Sequence, residues 1–189
     1  NNGTQDLNQQ VPAKPNGTYS FAISSKRYKI INGSVTSQSE DTTWTTSIPG
    51  SPSWIHVEEN GNTLIVSVDE NTTTSKRSAD ITIFQTGSGD TSITLTVEQQ
   101  AATVTTRDFL DYVEPIPSGD FSALEQAVTV TLQSYRETLI NGKVTSKVAV
   151  QPDFDLDATV TDWVSVSLIG GNPTNYEYDF EVSVKENTT

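Results

Sequence analysis

An all-β protein is what this sequence predicts, with short strands closing into a sandwich or barrel. Three observations predict it. The apolar fraction is only 33%, yet Val, Ile, Thr and Ser abound, residues suited to a pleated, half-solvated surface. Short runs alternate apolar and polar residues with period two. Turn signals separate these runs at regular spacing. The 189 residues allow one large domain or two small ones.

Residues 1–18 are rich in Asn, Gln, Pro and Gly and read as a flexible tether. From Tyr19 the pattern changes, because Tyr19, Phe21 and Ile23 alternate with Ser20, Ala22 and Ser24. Further strands are expected at Tyr28–Ile31, Asp41–Ile48, Trp54–Val57, Thr63–Val68, Asp80–Gln85 and Thr91–Glu98. Asn32-Gly33, Pro49-Gly50, Asn60-Gly61 and Gly87-Ser88-Gly89-Asp90 lie between them. Such pairs supply the positive φ that hairpin turns require. Residues 101–126 read as a linker with a little order. Thr106–Val113 fits a short helical turn capped by Thr105 or Thr106, stopped by Pro115 and Pro117. Ser122-Ala123-Leu124-Glu125 fits a capping box.

An internal repeat sets the domain organisation. Ile31-Asn32-Gly33 recurs 109 positions later as Ile140-Asn141-Gly142, and Val35-Thr36-Ser37 as Val144-Thr145-Ser146. Trp54-Ile55-His56-Val57 recurs at the same offset as Trp163-Val164-Ser165-Val166. The run from Val66 to Thr73 then matches Val182 to Thr189 at offset 116, so the second copy carries about seven extra residues in Ile169–Asp179. Two copies of one β-domain follow, over 19–100 and 127–189. The second lacks counterparts of the strands at 80–85 and 91–98. Three outcomes are open: the natural chain continues, a neighbouring chain donates the strands, or the second domain closes differently. The sequence also contains no Met, which suggests a processed, trimmed or separately expressed chain.

The first copy carries a specific order of segments. Ser53-Trp54-Ile55-His56-Val57 is followed by a strand ending near Asn71. Then come Arg77-Ser78-Ala79-Asp80-Ile81-Thr82-Ile83 and finally Leu95-Thr96-Val97-Glu98-Gln99. This order resembles the BACON domain (Bacteroidetes-associated carbohydrate-binding, often N-terminal) of bacterial surface and secreted proteins. The resemblance covers residues 19–100 well and 127–189 in part. It implies two immunoglobulin-like β-sandwich domains in tandem, the second incomplete. It further implies a lipoprotein of the outer membrane whose anchoring Cys lies upstream, or a secreted protein. Carbohydrate or mucin binding is implied by the family name, and a spacer role is equally consistent with it.

Charge and residue usage narrow the chemistry. The net charge of −13 argues against a nucleic-acid partner and against a lipid surface held by basic residues. No apolar run is long enough to span a membrane. Without Cys and with one His, thiol catalysis, disulfides and zinc sites built mainly from His or Cys are excluded. No cofactor and no metal site are expected. Asp153, Asp155 and Asp157 alternate and invite a hard cation, but the Gly and Glu of a calcium loop are replaced by Ala158 and Val164. A solvated acidic strand is the better reading.

Trp54 and Trp163 occupy one repeat position, and both are expected to pack between sheets. His56 aligns with Ser165 and is expected to be structural. Trp44 aligns with Asp153, so the common fold does not require it. Lying among Asp41, Thr42, Thr43, Thr45 and Thr46, it is either a sugar-stacking platform or a locally packed edge-strand residue. Tyr176 and Tyr178, in the extra segment from Gly170 to Asp179, share one face if the chain is extended and form the second candidate carbohydrate site. Two function classes result. One is a non-catalytic surface or secreted interaction or spacer protein with an adhesive role open to it, and the other a carbohydrate-binding module for host or dietary glycans. Catalysis is not expected. Partners would be a glycan or mucin, or a chain or further domain that completes 127–189.

Overall fold

The computed structural model describes residues 7–87, 91–113, 124 and 126–186. The chain divides into two compact units, Asn1–Thr103 and Val104–Thr189. Every assigned element is a β-strand.

The first unit is built from two facing sheets. One contains β1 (Leu7–Val11), β9 (Ser92–Gln99), β8 (Arg77–Gln85) and β5 (Trp44–Ser47), in that order. The other contains β2 (Tyr19–Ala22), β7 (Thr63–Val68) and β6 (Ile55–Asn60). The alternation read from the sequence faces inward. Ile81, Leu64, Val66 and Val97 are fully buried, and Ile55, Ile83 and Leu95 join them in one core. A two-stranded sheet of β3 (Lys26–Ile31) and β4 (Ser34–Asp41) completes the unit.

Three expectations are corrected here. Leu7–Val11 is no tether: it pairs in parallel with β9, and Val11 is a core residue. Its pairing partner lies almost ninety positions away, which composition cannot reveal. Ser34–Asp41, unassigned from its polar sequence, is a strand because β3 supplies a ladder. Within the linker expected at 101–126, Val104–Tyr112 form a strand, β10, and the second unit starts with it. No helical turn forms at Thr106–Tyr112, because nine residues of β10 pair with β11. The Pro115 and Pro117 stop and most of the Ser122–Glu125 capping box lie outside the described residues.

The second unit is one sheet: β10, β11 (Gln126–Ile140), β14 (Glu177–Val184) and β13 (Val164–Asn172), with β12 (Lys143–Ala149) also on β11. Its pairings follow the first unit at the offsets seen in sequence. Tyr19 pairs with Val66, and Val128 with Val182. Ile55 pairs with Val68, and Val164 with Val184. Asn32 and Asn141 both turn at φ near 50°, followed by Gly33 and Gly142 near 80°. Thr36 Oγ1 donates to the Lys29 carbonyl at 2.9 Å, and Thr145 Oγ1 to the Thr138 carbonyl at 3.1 Å.

The differences have a physical cause. Among the described strands β5 pairs with β8 alone, and β1 with β9 alone. Among the described residues the second unit has no counterpart of β8 or β9. Residues 153–156, aligned with β5, therefore have no ladder and stay irregular. This corrects the acidic strand expected at Asp153, Asp155 and Asp157. Instead Asp157 accepts hydrogen bonds from the Thr159 amide at 2.8 Å and hydroxyl at 2.6 Å, which hold its carboxyl below the usual range.

Candidate functional site

The motif residues of the first unit converge on Gln99, which is fully buried. Its Nε2 donates to the carbonyls of Asp69 at 2.8 Å and Ala13 at 3.1 Å. Its Oε1 accepts from Arg77 Nε at 2.8 Å, and Arg77 Nη2 donates to the Asp69 carbonyl at 2.9 Å. The Arg77 guanidinium then lies 4.5 Å from the centre of the Trp54 ring. These residues join the end of β7, the exit of β1 and the start of β8. Their role is architectural. His56 is exposed and its Nε2 lies 3.2 Å from Asp69 Oδ1.

The aromatic candidates separate. Trp44 is 8% exposed and belongs to the core of the first unit. β5 pairs with β8 so that this indole joins Ile23 and Ile83 in the core, while Thr43 is exposed and Thr42, Thr45 and Thr46 are half-buried. Of the two readings open for Trp44, the burial fits the locally packed edge-strand residue and not an exposed platform. Thr45 and Thr46 hydroxyls and the Thr46 amide instead donate to Glu59, at 3.0, 2.8 and 2.7 Å.

Tyr176 and Tyr178 do not share a face. Tyr176 sits at φ 63° in the turn before β14, which breaks the extended run. Its ring lies 5.2 Å from that of Tyr135. Tyr178, on β14, lines a shallow cleft with Leu168, Ile169, Gly171 and Pro173. Gly171 is required there: a Cβ would lie 2.4 Å from the Glu177 carbonyl oxygen, at φ 144°.

Trp163 is 47% exposed, so the expectation that it packs like Trp54 is also corrected. The sequence position is the same and the backbone bond is the same: the amides of Asp69 and Lys185 donate to the Trp54 and Trp163 carbonyls at 2.8 and 2.9 Å. What differs is the missing Arg77 strand.

Two surface features were not anticipated. On β3–β4, Tyr28, Ile30, Ile31 and Val35 are 49 to 67% exposed, and Ile30 and Val35 are direct cross-strand partners. Their alternation was legible, but not that no sheet would cover them. On the second unit, Glu137 is nearly buried between Arg107, at 2.5 Å, and Lys147, at 3.1 Å. Hydrogen bonds from Arg107 first and Lys147 second hold its carboxyl below the usual range, against the opposing effect of burial. Next to it Phe109 stacks on Tyr135 at 4.7 Å, and Lys147 Nζ lies 4.2 Å from the centre of the Tyr135 ring. No sequence signal marked this group, since it depends on β10 pairing with β11. No group of three or more His, Asp or Glu residues able to hold a metal ion occurs among the described residues.

A search of curated proteins finds no match to the chain. Residues 39–100 match the BACON family, described as "Putative binding domain, N-terminal". They span β5 to β9 with the Trp54, Arg77 and Gln99 network, so the likeness to that family lies in the first unit.

Proposed function

We propose that this chain is a non-catalytic interaction protein of the cell surface or secreted fraction, built from two copies of one β-module, the second incomplete. The shared registers of the two units support the common origin. The observation that carries the interaction role is the β3–β4 hairpin. Contiguous exposed aliphatic and aromatic side chains on a soluble unit mark a contact surface. This hairpin presents four of them on strands that no third described strand covers. A partner strand or flat apolar surface suits it better than a small ligand. The acidic, cysteine-free composition suits a solvated spacer. A surface location, through a lipoprotein anchor or by secretion, rests on where BACON modules occur.

The test is adhesion to mucin-coated and polysaccharide-coated surfaces, with the double variant Ile30→Asp, Val35→Asp as comparison. Melting of the buried core should change little, because both side chains are exposed and the repulsion between the paired carboxylates is confined to the hairpin, while adhesion falls to background. Adhesion unchanged in the variant would overturn the hairpin's role. A glycan-binding reading is favoured by one separate observation, the Phe109–Tyr135–Tyr176 group beside Arg107 and Lys147. A glycan array probed with wild type and Phe109→Ala distinguishes it: spots lost in the variant support it, and an empty array sinks it.

A further inference from the structure

The second unit retains one sheet of a two-sheet design. In the first unit Val66 is fully buried and Ile55 nearly so, under Ile81, Ile83, Leu95 and Val97 of β8 and β9. Their counterparts Val182 and Val164 are only half-buried, and Trp163 is 47% exposed where Trp54 lies under Arg77. The two segments that depend on β8 and β9 are also the two that differ. The β5-aligned residues 153–156 form no strand. β10, which precedes β11 as β1 precedes β2, pairs with β11 instead of a β9 counterpart. Phe154 covers part of the face, its ring 4.4 Å from Phe180.

We infer that the Val164–Val182 face of the second unit is a docking surface for one kind of occupant, an amphipathic β-hairpin of the β8–β9 type. Its strands would be eight or nine residues long, as β8 and β9 are. One face would carry alternating Ala, Ile, Leu and Val, and an Arg near the start would lie over Trp163. The first unit displays the fit, because the receiving strands have the same register in both units. Strand addition of this kind gains ladder hydrogen bonds along residues 153–156 and buries alternate side chains.

The full chain can be tested directly. The match of Val66–Thr73 to Val182–Thr189 means that residues Thr74–Gln100, appended after Thr189, restore the spacing of the first unit. The comparison chain carries the same extension with its copies of Ile81, Ile83, Leu95 and Val97 changed to Ser. The apolar extension should slow hydrogen exchange at Val164–Val166 and Val182–Val184 about tenfold or more and bring Phe154–Leu156 under protection. It should also at least halve fluorescence of a dye that binds exposed apolar surface. The Ser extension should do neither. In case the extended chain aggregates, a synthetic Lys76–Gln100 peptide titrated onto the unextended chain gives the same exchange readout. Equal protection with apolar and Ser-substituted hairpins, in cis and in trans, would overturn the inference. So would a dimer of the unextended chain that already protects these strands, since a second copy would then be the occupant.

Discussion

Replacing Gln99 by Leu keeps the side-chain size and removes every polar contact that this side chain makes at the centre of the first unit. Four partners lose it: the Asp69, Ala13 and Pro12 carbonyls, which share its two amide protons, and Arg77 Nε. Arg77 keeps its bond to the Asp69 carbonyl, so that oxygen is not stranded. The Ala13 carbonyl keeps its bond from the Asn71 amide at 2.7 Å, and the Arg77 guanidinium loses the anchor that holds it over Trp54. At about 1 kcal/mol per neutral bond and about 1.5–3 for the one to a charged group, the loss is about 3–5 kcal/mol. For a unit of this size about 4–8 °C of melting temperature corresponds to each kcal/mol, so the midpoint should fall by at least about 12 °C. Tryptophan fluorescence measures it in a Trp163→Phe background, where both remaining indoles report the first unit. Gln99→Glu sharpens the test. It keeps the acceptor for Arg77 but turns an oxygen toward the carbonyls, so it should also destabilise. A fall of less than about 3 °C in both variants would refute the reading that this network holds β1, β7 and β8 together.

Other predictions follow from the same structure. The Glu137 carboxyl is held below its ordinary value, so its contribution is present above the unfolded-state value and is lost as pH falls through the folded one. Melting of the second unit should therefore drop below about pH 4.5 and vary less with pH in Glu137→Gln, and parallel profiles would contradict this. Gly171→Ala should destabilise the β13–β14 hairpin by about 1–3 kcal/mol, while Gly170→Ala, whose nearest neighbour is the Asp179 Oδ2 at 3.7 Å, should be mild. Amide exchange at Leu168 and Phe180 separates the two. Trp44→Ala should cost about 3–5 kcal/mol as a core truncation, and Trp163→Ala much less, about 1 kcal/mol or below, both read by thermal unfolding.

The period-two alternation of Tyr19–Ala22, Thr63–Val68 and Asp80–Gln85 was enough to locate those strands, because one face of each is buried. β4 was harder, since Ser, Thr, Gln and Glu occupy both of its faces and only pairing with β3 makes it a strand. β10 misleads for another reason. Phe109, Leu110 and Val113 have spacing that suits a helical turn, and nine ladder pairs with β11 override that local preference. Trp44 shows the limit for sites. Its flanking threonines announce a solvated surface, yet in a strand the alternate residue faces the other way, and the core took the indole. Trp54 and Trp163 show that similar local sequence gives different burial when, among the described residues, a distant strand covers one copy only.

The parallel pairing of β1 with β9 has a mechanical consequence. Leu7–Val11 and Leu95–Gln99 run side by side in the same direction over five rungs. Tension that draws the start of β1 away from the end of β9 slides the strands along each other. All five rungs then share the load, whereas a hairpin pulled at its open end gives way rung by rung. Resistance to such pulling is set by the barrier to unfolding rather than by equilibrium stability. A module stretched between an anchor and a held surface would then stay folded under force for longer than its melting temperature suggests.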